Sequence, residues 1–90
     1  MAKYVGNYVR ELRENKGYST RKLAKQAQCS QSLVTNVENG YRLPSMKSLW
    51  ELVKTLDGDF GQALFYLCLD LEIPEEEVVG ITLRGKSVAS

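Results

Sequence analysis

The chain contains no histidine. That removes the commonest metal ligand and the commonest general base at neutral pH. Its two cysteines, Cys29 and Cys68, stand 39 positions apart. Two are too few for a disulfide scaffold, and the spacing is not that of metal ligands. The simplest reading is a reduced, cytoplasmic protein. No stretch approaches the ~18 apolar residues needed to span a bilayer, so no membrane partner is expected. The opening MAKYVGNYVR lacks the apolar run of a secretory signal. Gly58 and Gly61 do not form a nucleotide loop, and Glu75, Glu76 and Glu77 are adjacent acids on different faces. No constellation for catalysis emerges; an enzyme is not expected, nor a cofactor.

An excess of either charge is also lacking: 12 basic residues face 11 acidic ones. Their distribution is uneven. Residues 1–50 carry nine Lys/Arg and three acids, +6; residues 51–90 carry three bases and eight acids, −5. Such a chain can offer one face to a polyanion and keep the other for itself or a protein partner. Solubility alone explains the pattern equally well. Ninety residues with 43% apolar content suit one folded domain and not two.

Periodicity predicts five helices and an all-α fold. Val5, Val9 and Leu12 recur at i, i+4 and i+7 over residues 5–16, ended by Asn15-Lys16-Gly17. Ser19 is a good N-cap for a helix over about 20–28 with Leu23, Ala24 and Ala27 inward. Gln28-Cys29-Ser30 interrupts it. Ser30 caps a third helix, about 31–39, whose Val34 and Val37 restart the apolar stripe before Asn39-Gly40 stops it. Its residues are poor helix formers, so packing must hold it. Pro44 keeps Leu43 extended. Ser45 caps a fourth helix to about Leu56, with Met46, Leu49, Leu52, Val53 and Leu56 as its buried stripe. Asp59, followed by Gln62, resembles a capping box for a fifth helix over 60–70.

That fifth helix is apolar on more than one side. Leu64, Leu67 and Leu71 suit the core, while Phe65, Tyr66, Cys68 and Leu69 cannot all share their stripe. Either residues 71–90 fold over it or a second subunit docks. These 20 residues form an acidic extension: a dimerisation element or a tail. Within it, Pro74 to Glu77 reads as a helix start; the alternative is a short strand over Val78 to Leu83.

Two short helices with a tight turn make a helix-turn-helix arrangement. The run Tyr18-Ser19-Thr20-Arg21-Lys22-Leu23-Ala24-Lys25, then Ser30, Val34, Val37-Glu38-Asn39-Gly40 and Pro44-Ser45, resembles the phage repressor and Cro-type helix-turn-helix domains of phages and bacteria. The resemblance covers about residues 5–69. It implies a compact five-helix repressor-like bundle with Leu23, Ala24, Val34 and Val37 as the core of the motif. It implies base contacts from Gln31, Ser32 and Asn36, with Thr35 beside them. It implies backbone contacts from Thr20 and Arg42, and an ion pair between Arg13 and Glu38. Two positions depart from the family: Gln28 replaces the usual glycine and Thr20 the usual glutamine. A left-handed Gln28 costs roughly 1 kcal/mol.

Chemistry supports the same residues. An amide reads adenine through N6 and N7, so Gln31 and Asn36 are capable readers; the Thr35 methyl suits thymine. Lys22, Lys25, Arg42 and Lys47 are candidate phosphate contacts, with Arg10 and Lys16 behind them. The expectation is a homodimeric transcriptional regulator, most simply a repressor, on a palindromic double-stranded operator, joined through Phe65, Tyr66 and Leu69. The alternative is an interaction or antitoxin module of the same fold, binding a protein through helix 60–70 and the tail.

Overall fold

Each helix begins where a short polar side chain can satisfy its open N–H groups. The computed structural model describes residues 3–72, in which five helices follow one another: α1 (Lys3–Asn15), α2 (Thr20–Gln26), α3 (Gln31–Glu38), α4 (Met46–Thr55) and α5 (Phe60–Asp70). Ser19, Ser30 and Ser45 Oγ accept from the amides of Lys22, Leu33 and Ser48. Asp59 Oδ1 accepts from Gln62 N at 3.3 Å. The box at Asp59 is half-formed, because the Gln62 amide donates forward to the Tyr66 hydroxyl and the Asp59 N–H donates to Tyr8 Oη.

The cap of α1 comes from the far end of the domain. Asp70 closes α5, and its two carboxylate oxygens accept from Tyr4 N at 2.9 Å and Val5 N at 2.8 Å. A carboxylate there also suits the positive end of the α1 dipole.

Helix ends repeat one device. Tyr18 N donates to Arg13 O, Cys29 N to Ala24 O, Tyr41 N to Asn36 O and Gly58 N to Val53 O. Each is the six-residue reach of a Schellman turn, which places the residue before the donor in left-handed geometry. Those residues are Gly17 (φ 75°), Gln28 (57°), Gly40 (79°) and Asp57 (57°). At Asp57-Gly58 the left-handed residue is therefore the aspartate. Gly58 serves space instead, since a Cβ there would lie 2.4 Å from Leu12 Cδ1.

The core draws on every helix: Val5 and Val9; Leu23 and Ala24, with Ala27; Val34 and Val37; Leu49, Leu52 and Val53, with Leu56; Ala63 and Leu67. Two expected core positions are corrected. Met46 is 54% exposed and Leu71 51%. Met46 opens α4 before the helix reaches its neighbours, and Leu71 lies just past the last turn of α5. Leu64, Phe65, Cys68 and Leu69 are half-buried. Part of the apolar excess of α5 is covered by α1, whose Tyr4 and Tyr8 pack on Tyr66. No helix among the described residues is long and apolar enough to cross a membrane. The readings of Pro74 to Glu77 and Val78 to Leu83 lie outside the described residues.

Candidate nucleic-acid interface

Helices α2 and α3 pack against each other across a break at residues 27–30. The left-handed Gln28 turns the chain there, so no continuous helix joins Thr20 to Asn39. Leu23 and Ala24 of α2 and Val34 and Val37 of α3 are buried, which leaves the opposite face of α3 to solvent. That face carries Gln31, Ser32 and Thr35, all exposed. Asn36 sits at its edge, half-buried, and its carbonyl accepts from the amides of Tyr41 and Arg42.

Gln31 and Thr20 meet across the break. Gln31 Nε2 donates to Thr20 Oγ1 at 3.1 Å. The first residues of both helices are thereby joined on the outer surface. The bond leaves the Gln31 carbonyl oxygen and the second amide hydrogen available, which is the pair that reads an adenine edge. It also leaves the Thr20 hydroxyl proton able to donate to a phosphate.

Of the basic residues expected to meet phosphate, Lys22, Lys25, Arg42 and Lys47 are exposed. The Lys22 ammonium lies over the Tyr18 ring, 4.3 Å from its centroid. Arg10 and Lys16 are held elsewhere. Lys16 pairs with Asp57, and this raises its pKa chiefly through the side-chain hydrogen bond.

The back of α3 is anchored by charge. Glu38 closes the helix, with a side chain only 3% exposed. A carboxylate at a helix C-terminus opposes the dipole, and burial adds to the cost. Two arginines of α1 answer it. Arg13 Nε donates to Glu38 Oε2 at 2.7 Å and Nη2 to Oε1 at 3.0 Å, a two-point grip. Its third nitrogen donates to the Tyr18 carbonyl at 2.7 Å. The hydrogen bond to Glu38 holds the Arg13 pKa above its ordinary value. Arg10 Nε donates to Glu38 Oε1 at 3.4 Å, and Nη2 to the Glu38 carbonyl and to Asn39 Oδ1. One patch thus ties α1, the turn before α2, and the end of α3.

Sequence reasoning assigned Arg13 to Glu38 but placed Arg10 among the phosphate candidates. It also passed over Gly6. A Cβ at Gly6 would lie 2.3 Å from the Val37 carbonyl oxygen, so this glycine lets the α1 and α3 backbones touch. A lone glycine inside a helical pattern was the available signal. Cys29 packs against the core as a small hydrophobe, and burial pushes its thiol pKa up. Phe65, Tyr66 and Leu69 lie on α5; Tyr66 is already engaged with α1.

Two short crossed helices, the second rigidly backed and polar outward, define a helix-turn-helix DNA-binding domain of the repressor type. A family model described as Helix-turn-helix matches residues 9–62, more than half of the chain, and the protein belongs to that family. Such domains are non-catalytic modules with a DNA-binding, regulatory role. No curated protein and no solved structure was found to match the chain. Among the described residues there is no group of three His, Cys, Asp or Glu side chains able to hold a metal ion.

Proposed function

We propose that the protein is a sequence-specific transcriptional regulator, most simply a repressor, that lays α3 in the major groove of a double-stranded operator. The observation that carries this reading is the outer face of α3, with Gln31 held by Thr20 in a pose suited to a base edge. In this reading Gln31 reads adenine, Ser32 and Thr35 meet the neighbouring bases, and Asn36 reads from the edge of the face. Thr20, Lys22, Lys25, Arg42 and Lys47 hold the phosphates.

One domain of this size makes a small interface, so we infer a two-fold homodimer through the apolar surface of α5 at Phe65, Tyr66 and Leu69. It would set two α3 helices ~34 Å apart on a palindromic site. The test is selection of bound duplexes from a random pool at fixed salt, read by sequencing. The expected result is an inverted repeat with half-site centres about ten base pairs apart. Recovery of the starting pool unchanged would overturn DNA reading. Function that persists after charge reversal at Lys22 and Lys25 would favour a protein partner on α5 and the tail instead.

A further inference from the structure

Lys22 stands where helix electrostatics disfavour it. The first turn of α2 holds no acid, and a cation there opposes the positive end of the dipole. Among the described residues Lys22 forms no ion pair that would offset this. Its backbone is fixed, because Lys22 N donates to Ser19 Oγ at 3.0 Å. Its head is held as well. The ammonium lies 4.3 Å from the centroid of the Tyr18 ring, four residues back. The face of such a ring carries negative potential and attracts a cation within about 6 Å.

The ring itself is anchored. Tyr18 is half-buried and packs against the core. Its N–H donates to the Arg13 carbonyl at 3.0 Å, and its own carbonyl accepts from Arg13 Nη1 at 2.7 Å. The same arginine grips Glu38 at the end of α3 through two bonds. A line of contacts thus runs from the end of α3 through Arg13 and Tyr18 to the Lys22 ammonium. A second ammonium, that of Lys16, lies 5.8 Å from the same centroid, but it is bound to Asp57. Lys22 therefore has the nearer place on the ring and an unpaired charge.

We propose that Tyr18 is a positioning residue, whose ring holds the Lys22 ammonium in place for a phosphate of the DNA backbone. The inference rests on the DNA reading above. An exposed lysine samples many rotamers and loses that freedom when it settles on a phosphate. One already seated on a ring has less to lose. An ammonium carries three N–H donors, and a ring on one side leaves the others to an anion. The gain belongs to affinity on any duplex and not to base choice.

The experiment has one arm without DNA and one with it. In the free full chain, the ε-methylene protons of Lys22 are expected upfield of their random-coil position through the Tyr18 ring current. Random-coil values would overturn the proposal, and this arm needs no variant. In competition titrations over a range of salt, Tyr18→Leu, shown folded by its amide dispersion, is expected to weaken operator and random DNA alike by about two- to fivefold. The slope against salt is expected to stay unchanged, since the number of neutralised phosphates is the same. Tyr18→Phe keeps the ring and the affinity. In a Lys22→Ala background, Tyr18→Leu is expected to cost nothing further. An equal loss with and without Lys22, or a loss in Tyr18→Phe as large as in Tyr18→Leu, would mean a merely structural ring and overturn the proposal while the DNA reading stands. A wild-type chain that binds no duplex would overturn both.

Discussion

Single atoms decide how closely α1 approaches α3. The Val37 carbonyl that a Cβ at Gly6 would strike is backbone, so it cannot swing aside. Gly6→Ala is expected to cost about 1–3 kcal/mol by overpacking, measured as a lower urea midpoint with an unchanged slope. Gln28 presents the opposite case. Its side chain is exposed and its φ is 57°, so the strain belongs to the backbone alone. Gln28→Gly is expected to raise stability by about 0.5–1 kcal/mol in the same assay. At this scale the sequence was legible wherever a residue type has a local meaning. The left-handed cost at Gln28 and the buried Leu23, Ala24, Val34 and Val37 belong there. Arg10 was not legible, because an arginine on α1 looks the same whether it points to phosphate or to Glu38; only the packing of α1 across α3 decides.

Helices were read from their caps, and caps are mostly local. Ser19, Ser30, Ser45 and Asp59 each serve an amide three residues on, so spacing alone exposes them. The cap of α1 is not local: Asp70 stands 66 positions from Tyr4. Asp70→Ala is expected to cost about 1 kcal/mol and to speed hydrogen exchange first at the Tyr4 and Val5 amides, while α3 stays protected. Met46 was misread for a related reason, since a helical period marks a face and not the turn at which a neighbour begins. The outward face of α3 can be tested as an element. Gln31→Ala should leave the thermal midpoint within a degree or two, since the residue is exposed. It should weaken binding to the selected operator by about 1–3 kcal/mol while nonspecific binding holds, as read by competition titration.

Across the whole molecule, charge separates along the chain. The half that holds α2 and α3 is basic and the half that holds α5 is acidic. Under the proposed function, Lys22→Ala is expected to weaken binding alike on operator and random DNA and to flatten the salt dependence by about one unit of slope. Sedimentation on a two-half-site duplex is expected to show two protein chains per duplex, and one chain would sink the dimer. Fold class, helix order and the exposed polar face of α3 were legible because each follows from spacing along the chain. The packing of Tyr4 and Tyr8 on Tyr66 was not, since it joins residues from both ends of the described chain, and nothing in the tyrosines themselves says that they converge.

The bond from Asp70 back to the start of α1 bears on how the protein is born. Synthesis runs from the amino end, so α1 leaves the ribosome long before the carboxylate that finishes it. Until Asp70 emerges, the amides of Tyr4 and Val5 have only water, and α1 is a helix short enough to fray. A nascent chain halted ahead of that residue carries the crossed pair α2 and α3 without a completed brace behind it. The last turn of the last described helix therefore completes the first one: the amides that open α1 meet their partner only after nearly the whole described stretch has been made.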